Sequence, residues 1–220
     1  MSMGKRVWIT GNVYHVYSKS IAGFKIFNSE EDFTRVIEGL QYYQRAGILP
    51  SFSYYKEMPE LSGVQHEKYF NRRARHRLVD IVAYCIMPTH IHFILKQLQP
   101  FGVTLVMKKL LNSYTKYFNM RHRRKGPLWE GRFKAVLVKT DEQLLHLTRY
   151  IHLNPVTAEL VDNPEDWAFS SCREYLALTQ EKMCNYEGLF TIEPDSYREF
   201  LLNRIDYQKE LASIKSLLLD

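Results

Sequence analysis

A chain of 220 residues with 45% hydrophobic and 25% charged side chains has the material for a buried core, which excludes a largely disordered polymer. Its three cysteines, Cys85, Cys172 and Cys184, form neither a paired framework nor a CxxC motif, which excludes a disulfide-stapled scaffold and favours a reducing compartment. The net charge of +6 conceals two opposed parts: residues 1–158 hold 24 Lys and Arg against 11 Asp and Glu (+13), residues 159–220 hold 6 against 13 (−7).

In chain order, Val7 to Ile21 predicts a strand, rich in Val, Ile, Tyr and Trp with rough alternation. Asn28-Ser29 before Glu30-Glu31-Asp32 marks a helix start with an acidic first turn. Phe33, Val36, Ile37, Leu40 and Tyr43 form its apolar stripe, and Gly47 its end. Residues 48–63 read as an excursion, with Pro50, Pro59 and Gly63, and Gln65 to Arg77 as a helix rich in arginine. Leu78 to Met87 and His90 to Lys96 predict two strands joined by a tight Pro88-Thr89 turn. Thr104 to Tyr117 has helical periodicity, with Val106, Leu110, Tyr114 and Tyr117 on one side. Lys134 to Lys139 is a short β-branched strand, and Asp141 to Asn154 a helix capped by Thr140 and stopped by Pro155. Further helices are expected at Ser171–Leu178, Ser196–Ile205 and Tyr207–Leu219. This order predicts an α+β fold of the ferredoxin-like, split βαβ kind: an antiparallel sheet with two helices on one face. The helix over 141–154 is an added element free to cover the other face. Residues 1–158 form the main domain and residues 159–220 an acidic helical C-terminal extension.

The chemistry concentrates at His90-Ile91-His92. Alternate residues of a strand share a face, so both imidazoles point the same way, close enough to grip one cation, while Ile91, Phe93 and Leu95 supply the apolar face. A tight turn places Cys85 and Met87 beside them, so a zinc site using Cys85 is one option, though no fourth ligand is evident. Tyr150 and Asn154 are stacked neighbours on a helix. Imidazole nitrogens with the Asn154 oxygen suit Mg²⁺ or Mn²⁺ completed by water and a substrate phosphate. The blander alternatives are a structural histidine pair and an Asn that simply ends a helix before Pro155. A phenol is a poor nucleophile at neutral pH unless a nearby cation favours phenolate. His146, one turn before Tyr150, is placed to orient or deprotonate it, or is only a surface residue; His152 falls on a different side.

The segment from Lys116 to Lys134 holds seven cations, Lys116, Arg121, Arg123, Arg124, Lys125, Arg132 and Lys134, against the single acid Glu130. Aromatic residues are interleaved. Cations that track phosphates and rings such as Trp129 that stack on bases suit single-stranded nucleic acid. Alternatively, Trp129 and Phe133 anchor an exposed loop to the core.

These motifs together resemble the single-tyrosine HUH transposases, the IS200-like family, in which U is a bulky apolar residue. The match runs through His90-Ile91-His92, Gly126-Pro127-Leu128-Trp129-Glu130-Gly131-Arg132-Phe133-Lys134 and Arg149-Tyr150-Ile151-His152-Leu153-Asn154-Pro155-Val156, and continues into Trp167 and Ser170-Ser171. It covers about residues 7–175, with residues 50–77 read as an insertion, and is nearest to the group associated with repetitive extragenic palindromes (REP). The resemblance implies that Tyr150 attacks single-stranded DNA beside an imperfect hairpin, forming a 5′-phosphotyrosine and freeing a 3′-hydroxyl. It implies that His90, His92 and Asn154 bind a divalent Mg²⁺ or Mn²⁺. Many relatives carry Gln where this chain has Glu130, which puts an anion in a basic segment.

Three classes of function follow: a metal-dependent DNA transposase, a non-catalytic DNA-hairpin-binding protein on the same fold, and a metal hydrolase that uses water. Monomer and homodimer with an exchanged tyrosine helix are both open. With no signal peptide and no apolar run long enough to span a bilayer, the expected location is cytoplasmic, at the nucleoid.

Overall fold

The computed structural model describes residues 8–47, 50–57 and 74–203. The elements are β1 (Val13–Lys19), α1 (Glu30–Tyr43), β2 (Arg45–Gly47), α2 (Phe52–Lys56), β3 (Ala74–Arg77), β4 (Val79–Met87), β5 (His90–Gln97), α3 (Gly102–Arg121), β6 (Lys134–Leu137), α4 (Asp141–Thr157), α5 (Cys172–Tyr175) and α6 (Pro194–Leu202). Four strands form an antiparallel sheet in the order β4-β5-β1-β6. The first strand thus sits between the third and fourth of that sheet, the ferredoxin-like arrangement predicted from the element order.

The alternation of each strand sorts its side chains onto two faces. Tyr14 and Val16 of β1, Ile86 of β4 and Ile91, Phe93 and Leu95 of β5 pack against Val36 and Leu40 of α1 and Val106, Leu110 and Tyr114 of α3. The opposite face carries Val82, Ala83, Cys85, Met87 and Ile94, covered by Leu144, Ile151 and Leu153 of α4. A bulge in β4 between Ile81 and Ala83 lets Val82 and Ala83 share that second face.

Local chemistry fixes the helices. The Ser29 hydroxyl accepts from the Asp32 N–H while the Asp32 carboxylate accepts from the Ser29 N–H, a reciprocal cap at the start of α1. Asp32 also accepts from the Tyr117 hydroxyl at 3.1 Å, tying α1 to α3. At the start of α3 a Cβ on Gly102 would lie 2.2 Å from the Leu78 carbonyl oxygen, so only glycine fits this approach of helix to strand.

Several boundaries differ from the sequence reading. β1 begins at Val13, after a turn at Gly11 (φ +90°), rather than at Val7. α1 ends at Tyr43, not Gly47, because Arg45–Gly47 pairs antiparallel with Ala74–Arg77. Residues 74–77 are therefore strand rather than helix, and Leu78 continues that tie by donating its N–H to the Gln44 carbonyl. The remainder of that expected helix, residues 65–73, and the expected helix at 207–219 lie outside the described residues. Pro155 does not stop α4, which runs to Thr157; the Ala158 N–H still bonds the Asn154 carbonyl at 2.9 Å, so the missing proline donor is absorbed in the last turn.

Among the described residues after α4, the chain runs mostly irregular, with short helices α5 and α6 where Ser171–Leu178 and Ser196–Ile205 were expected. The Phe169 and Ile81 carbonyls accept from Ile86 and Asn185, and Ser171 donates its N–H to Tyr84, so this segment covers the outer edge of β4. Among the described residues no helix is long and apolar enough to cross a membrane.

Candidate active site on the sheet face beneath α4

β1 and β5 present their chemistry to the same face. In register, Tyr17 lies opposite His92 and Lys19 opposite His90 on one side, while Cys85 lies opposite His92 and Met87 opposite His90 on the other. His90 and His92 meet edge to face with ring centroids 5.0 Å apart. The predicted sharing of one face by both imidazoles is therefore present, with Ile91 and Phe93 in the opposite core.

Each imidazole is tethered through Nδ1. His90 Nδ1 lies 2.9 Å from the Thr89 hydroxyl, and His92 Nδ1 lies 3.0 Å from His15 Nε2. Burial lowers His90 to a pKa of about 4, helped by the charge of Lys19. Burial takes His92 well below the usual imidazole value, with His90, His15 and Lys19 acting in the same direction. Both rings are neutral at neutral pH, the form that ligates a cation.

Tyr150 comes from α4. Its ring centroid lies 5.9 Å from that of His92 and 6.5 Å from that of His15, edge to face in both cases. At 42% exposure the phenol is open to a substrate. Burial of its inner side raises its pKa, with Tyr17 and Cys85 adding to the rise, so the free site keeps it protonated. Asn154 follows one turn later, and its amide Nδ2 is buried without a hydrogen-bond partner.

Other expectations change. Among the described residues no three His, Cys or carboxylate side chains gather as a metal site, so any cation here would depend on the two imidazoles and the Asn154 amide. Cys85 is buried on this face, with burial raising its thiol pKa and its Sγ 3.8 Å from Met87 Sδ. His146 does not act on the phenol. It lies against Arg149, with Nη2 to Nδ1 at 2.7 Å, and against Phe200. His152 is fully buried, 2.7 Å from both the Tyr197 hydroxyl and Ser171 Oγ.

The basic segment is divided. Trp129, expected to stack on bases, is a core residue at 8% exposure, with its indole N–H on Thr115 Oγ1 at 3.1 Å. Arg121 is engaged by Glu31 and the Tyr117 hydroxyl. Arg124 closes the loop, donating to the Pro127 carbonyl at 3.0 Å. Arg123, Lys125, Arg132 and Lys134 make no ion pair among the described residues, nor does the exposed Lys116 on α3. Glu130 is exposed, and its N–H bonds the Lys19 carbonyl at 3.0 Å. Ile21 bonds Leu128 and Ser20 bonds Thr89, so the loop reaches the His90 end of the sheet. Lys134 pairs with Tyr17 on the edge strand and so shares the histidine face.

Sequence reasoning missed His15, Tyr17 and Lys19. Their signal was parity: they alternate along β1 as His90 and His92 do along β5.

The fold thus sets a His-apolar-His pair on one sheet face beneath a helix that carries Tyr150. Residues 61–154 match the family model "Transposase IS200 like". A Haemophilus influenzae protein, "Putative REP-associated tyrosine transposase", is 27% identical over 112 residues, spanning 46% of this chain and 64% of that protein. The solved structure of a REP-associated tyrosine transposase bound to a REP hairpin superposes with a TM-score of 0.51 at 16% identity, over 87% of this chain and 95% of that one. That likeness shows the shared fold.

Proposed function

We propose that this protein is a REP-associated type of DNA transposase that nicks and rejoins single-stranded DNA beside a hairpin through Tyr150. The observation that carries this reading is the meeting of one open phenol with two neutral imidazoles on one sheet face.

In the proposed step the Tyr150 oxygen attacks a backbone phosphorus and the bond from phosphorus to the 3′-oxygen breaks. The phenolic proton passes to water and the departing 3′-oxygen takes one up. The products are a 5′-phosphotyrosine and a free 3′-hydroxyl. Phosphodiester is exchanged for phosphodiester, so a 3′-hydroxyl can reverse the step and rejoin ends without added energy. Lys19 stands beside His90 and supplies positive charge for the phosphate. Arg123, Lys125, Arg132 and Lys134 carry the flanking backbone.

The donor set suits a hard divalent cation: His90 and His92, tethered at Nδ1, offer Nε2, and Asn154, whose amide nitrogen has no protein partner, would offer its amide oxygen. Mg²⁺ or Mn²⁺ held by these three would polarise a phosphoryl oxygen and offset the charge that builds on it. A hairpin partner is supported by the DNA-bound state of the structural relative and by the basic rim of the loop.

The test is to incubate end-labelled hairpin DNA with protein and Mn²⁺ and then denature. A covalent adduct is expected, lost in Tyr150→Phe. Tight hairpin binding with no adduct would favour a purely binding protein; cleavage that persists in Tyr150→Phe would favour a hydrolase using water.

A further inference from the structure

We infer that His15 is a positioning residue that sets the tautomer of His92, leaving the His92 Nε2 lone pair available to the site. The inference rests on the reading of His90 and His92 as a cation-holding pair. It concerns a residue outside the motifs that carry the family resemblance.

The contact is specific. His15 stands on β1, diagonal to His92 across the strand pair, with Ile94 directly opposite it. The His15 Nε2 to His92 Nδ1 distance is 3.0 Å, and the two rings are inclined by 17°. A hydrogen bond between two neutral imidazoles needs one N–H and one lone pair, so only two arrangements exist. In the first, His92 donates from Nδ1 and keeps its Nε2 lone pair. In the second, His15 donates, the His92 proton sits on Nε2, and the ring can no longer ligate through that atom.

His90 meets the same need differently: its Nδ1 faces the Thr89 hydroxyl at 2.9 Å. Metal-binding imidazoles are held this way, the distal ring nitrogen donating to an oriented acceptor that fixes both tautomer and ring plane. A carboxylate or carbonyl is the usual acceptor, and here the acceptor is another imidazole. Tyr17 and Tyr150 enclose the His15–His92 pair, with ring centroids between 5.2 and 6.5 Å of one or the other.

Two measurements on the full chain test this. Nitrogen-15 NMR of histidine-labelled, metal-free protein should show His92 as the Nδ1–H tautomer, and His15→Leu should shift it toward Nε2–H. Mn²⁺ titration followed by electron paramagnetic resonance should give His15→Leu an affinity about 10–100-fold weaker than the parent. His15→Gln, whose amide oxygen restores an acceptor, should recover most of it. Parent protein with His92 as Nε2–H, or a folded His15→Leu that binds Mn²⁺ as tightly as the parent, would overturn the inference. Retention of Mn²⁺ affinity in His92→Ala would instead overturn the assignment of the site; the tautomer spectrum would then still decide the role of His15.

Discussion

The imidazole of His92 and the phenol of Tyr150 face each other edge to face at 5.9 Å, one from the second strand of a hairpin and the other from the helix laid over it. The helix is held there by its own chain: Arg149 lies over the Phe200 ring at 4.0 Å, and His152 lies 2.7 Å from the Tyr197 hydroxyl. These two interactions grip α4 on either side of Tyr150.

Asn154 distinguishes a ligand from a helix end. Its amide nitrogen has no protein partner, so Asn154→Ala removes an unsatisfied buried group and should leave unfolding free energy within about 1 kcal/mol of the parent. Mn²⁺ affinity, read by the same resonance titration, should fall. A loss of several kcal/mol in urea unfolding with unchanged Mn²⁺ affinity would assign Asn154 to helix structure alone.

The basic loop separates into anchors and exposed cations without ion pairs among the described residues. Trp129→Ala should cost about 3–5 kcal/mol of stability, as for other large buried aromatics, measured by denaturant unfolding. Arg123, Lys125 and Arg132 are exposed and unpaired among the described residues, so replacing all three with Ala should leave stability nearly unchanged. It should flatten the dependence of hairpin-DNA binding on salt, by about 0.7 in log–log slope for each single-strand phosphate that is no longer neutralised. An unchanged slope would remove these residues from the interface.

His152 predicts a direction for acid stability. Burial lowers its pKa from 6.5 to about 3 in the folded chain. Unfolded protein takes up a proton that the folded site refuses, so this contribution is fully present above about pH 6.5 and is lost progressively as pH falls toward about 3. At pH 5 the loss is about 2 kcal/mol. Urea unfolding at pH 7 and pH 5 should show it, and His152→Gln should flatten that portion of the profile.

Much of this was legible in the chain. Strict alternation around His90 and His92 located both the face and its opposite core, and Ser29 with Asp32 announced the start of α1. The one-turn spacing of Tyr150 and Asn154 placed both on one side of α4. Motifs of this kind are local, and local chemistry survives folding. What escaped was set by pairing across the fold. The strand at Arg45–Gly47 exists because residues 74–77 lie beside it, against a local pattern that reads as helix. Among arginines Trp129 reads equally as a base-stacking ring or as a core anchor; the pairing of its loop with Lys19, Ser20 and Ile21 turns the indole inward. His15 carries no motif and becomes visible only once β1 is known to pair with β5 in this register.

Two phenols flank His92, Tyr17 stacked at 5.9 Å and Tyr150 edge-on at 5.9 Å, and only one can carry the DNA. The direct measurement is to trap the adduct with hairpin DNA and Mn²⁺, digest both components, and map the nucleotide-bearing peptide by mass spectrometry. The account predicts the phosphate on Tyr150. A phosphate on Tyr17, or on any other residue, would contradict it.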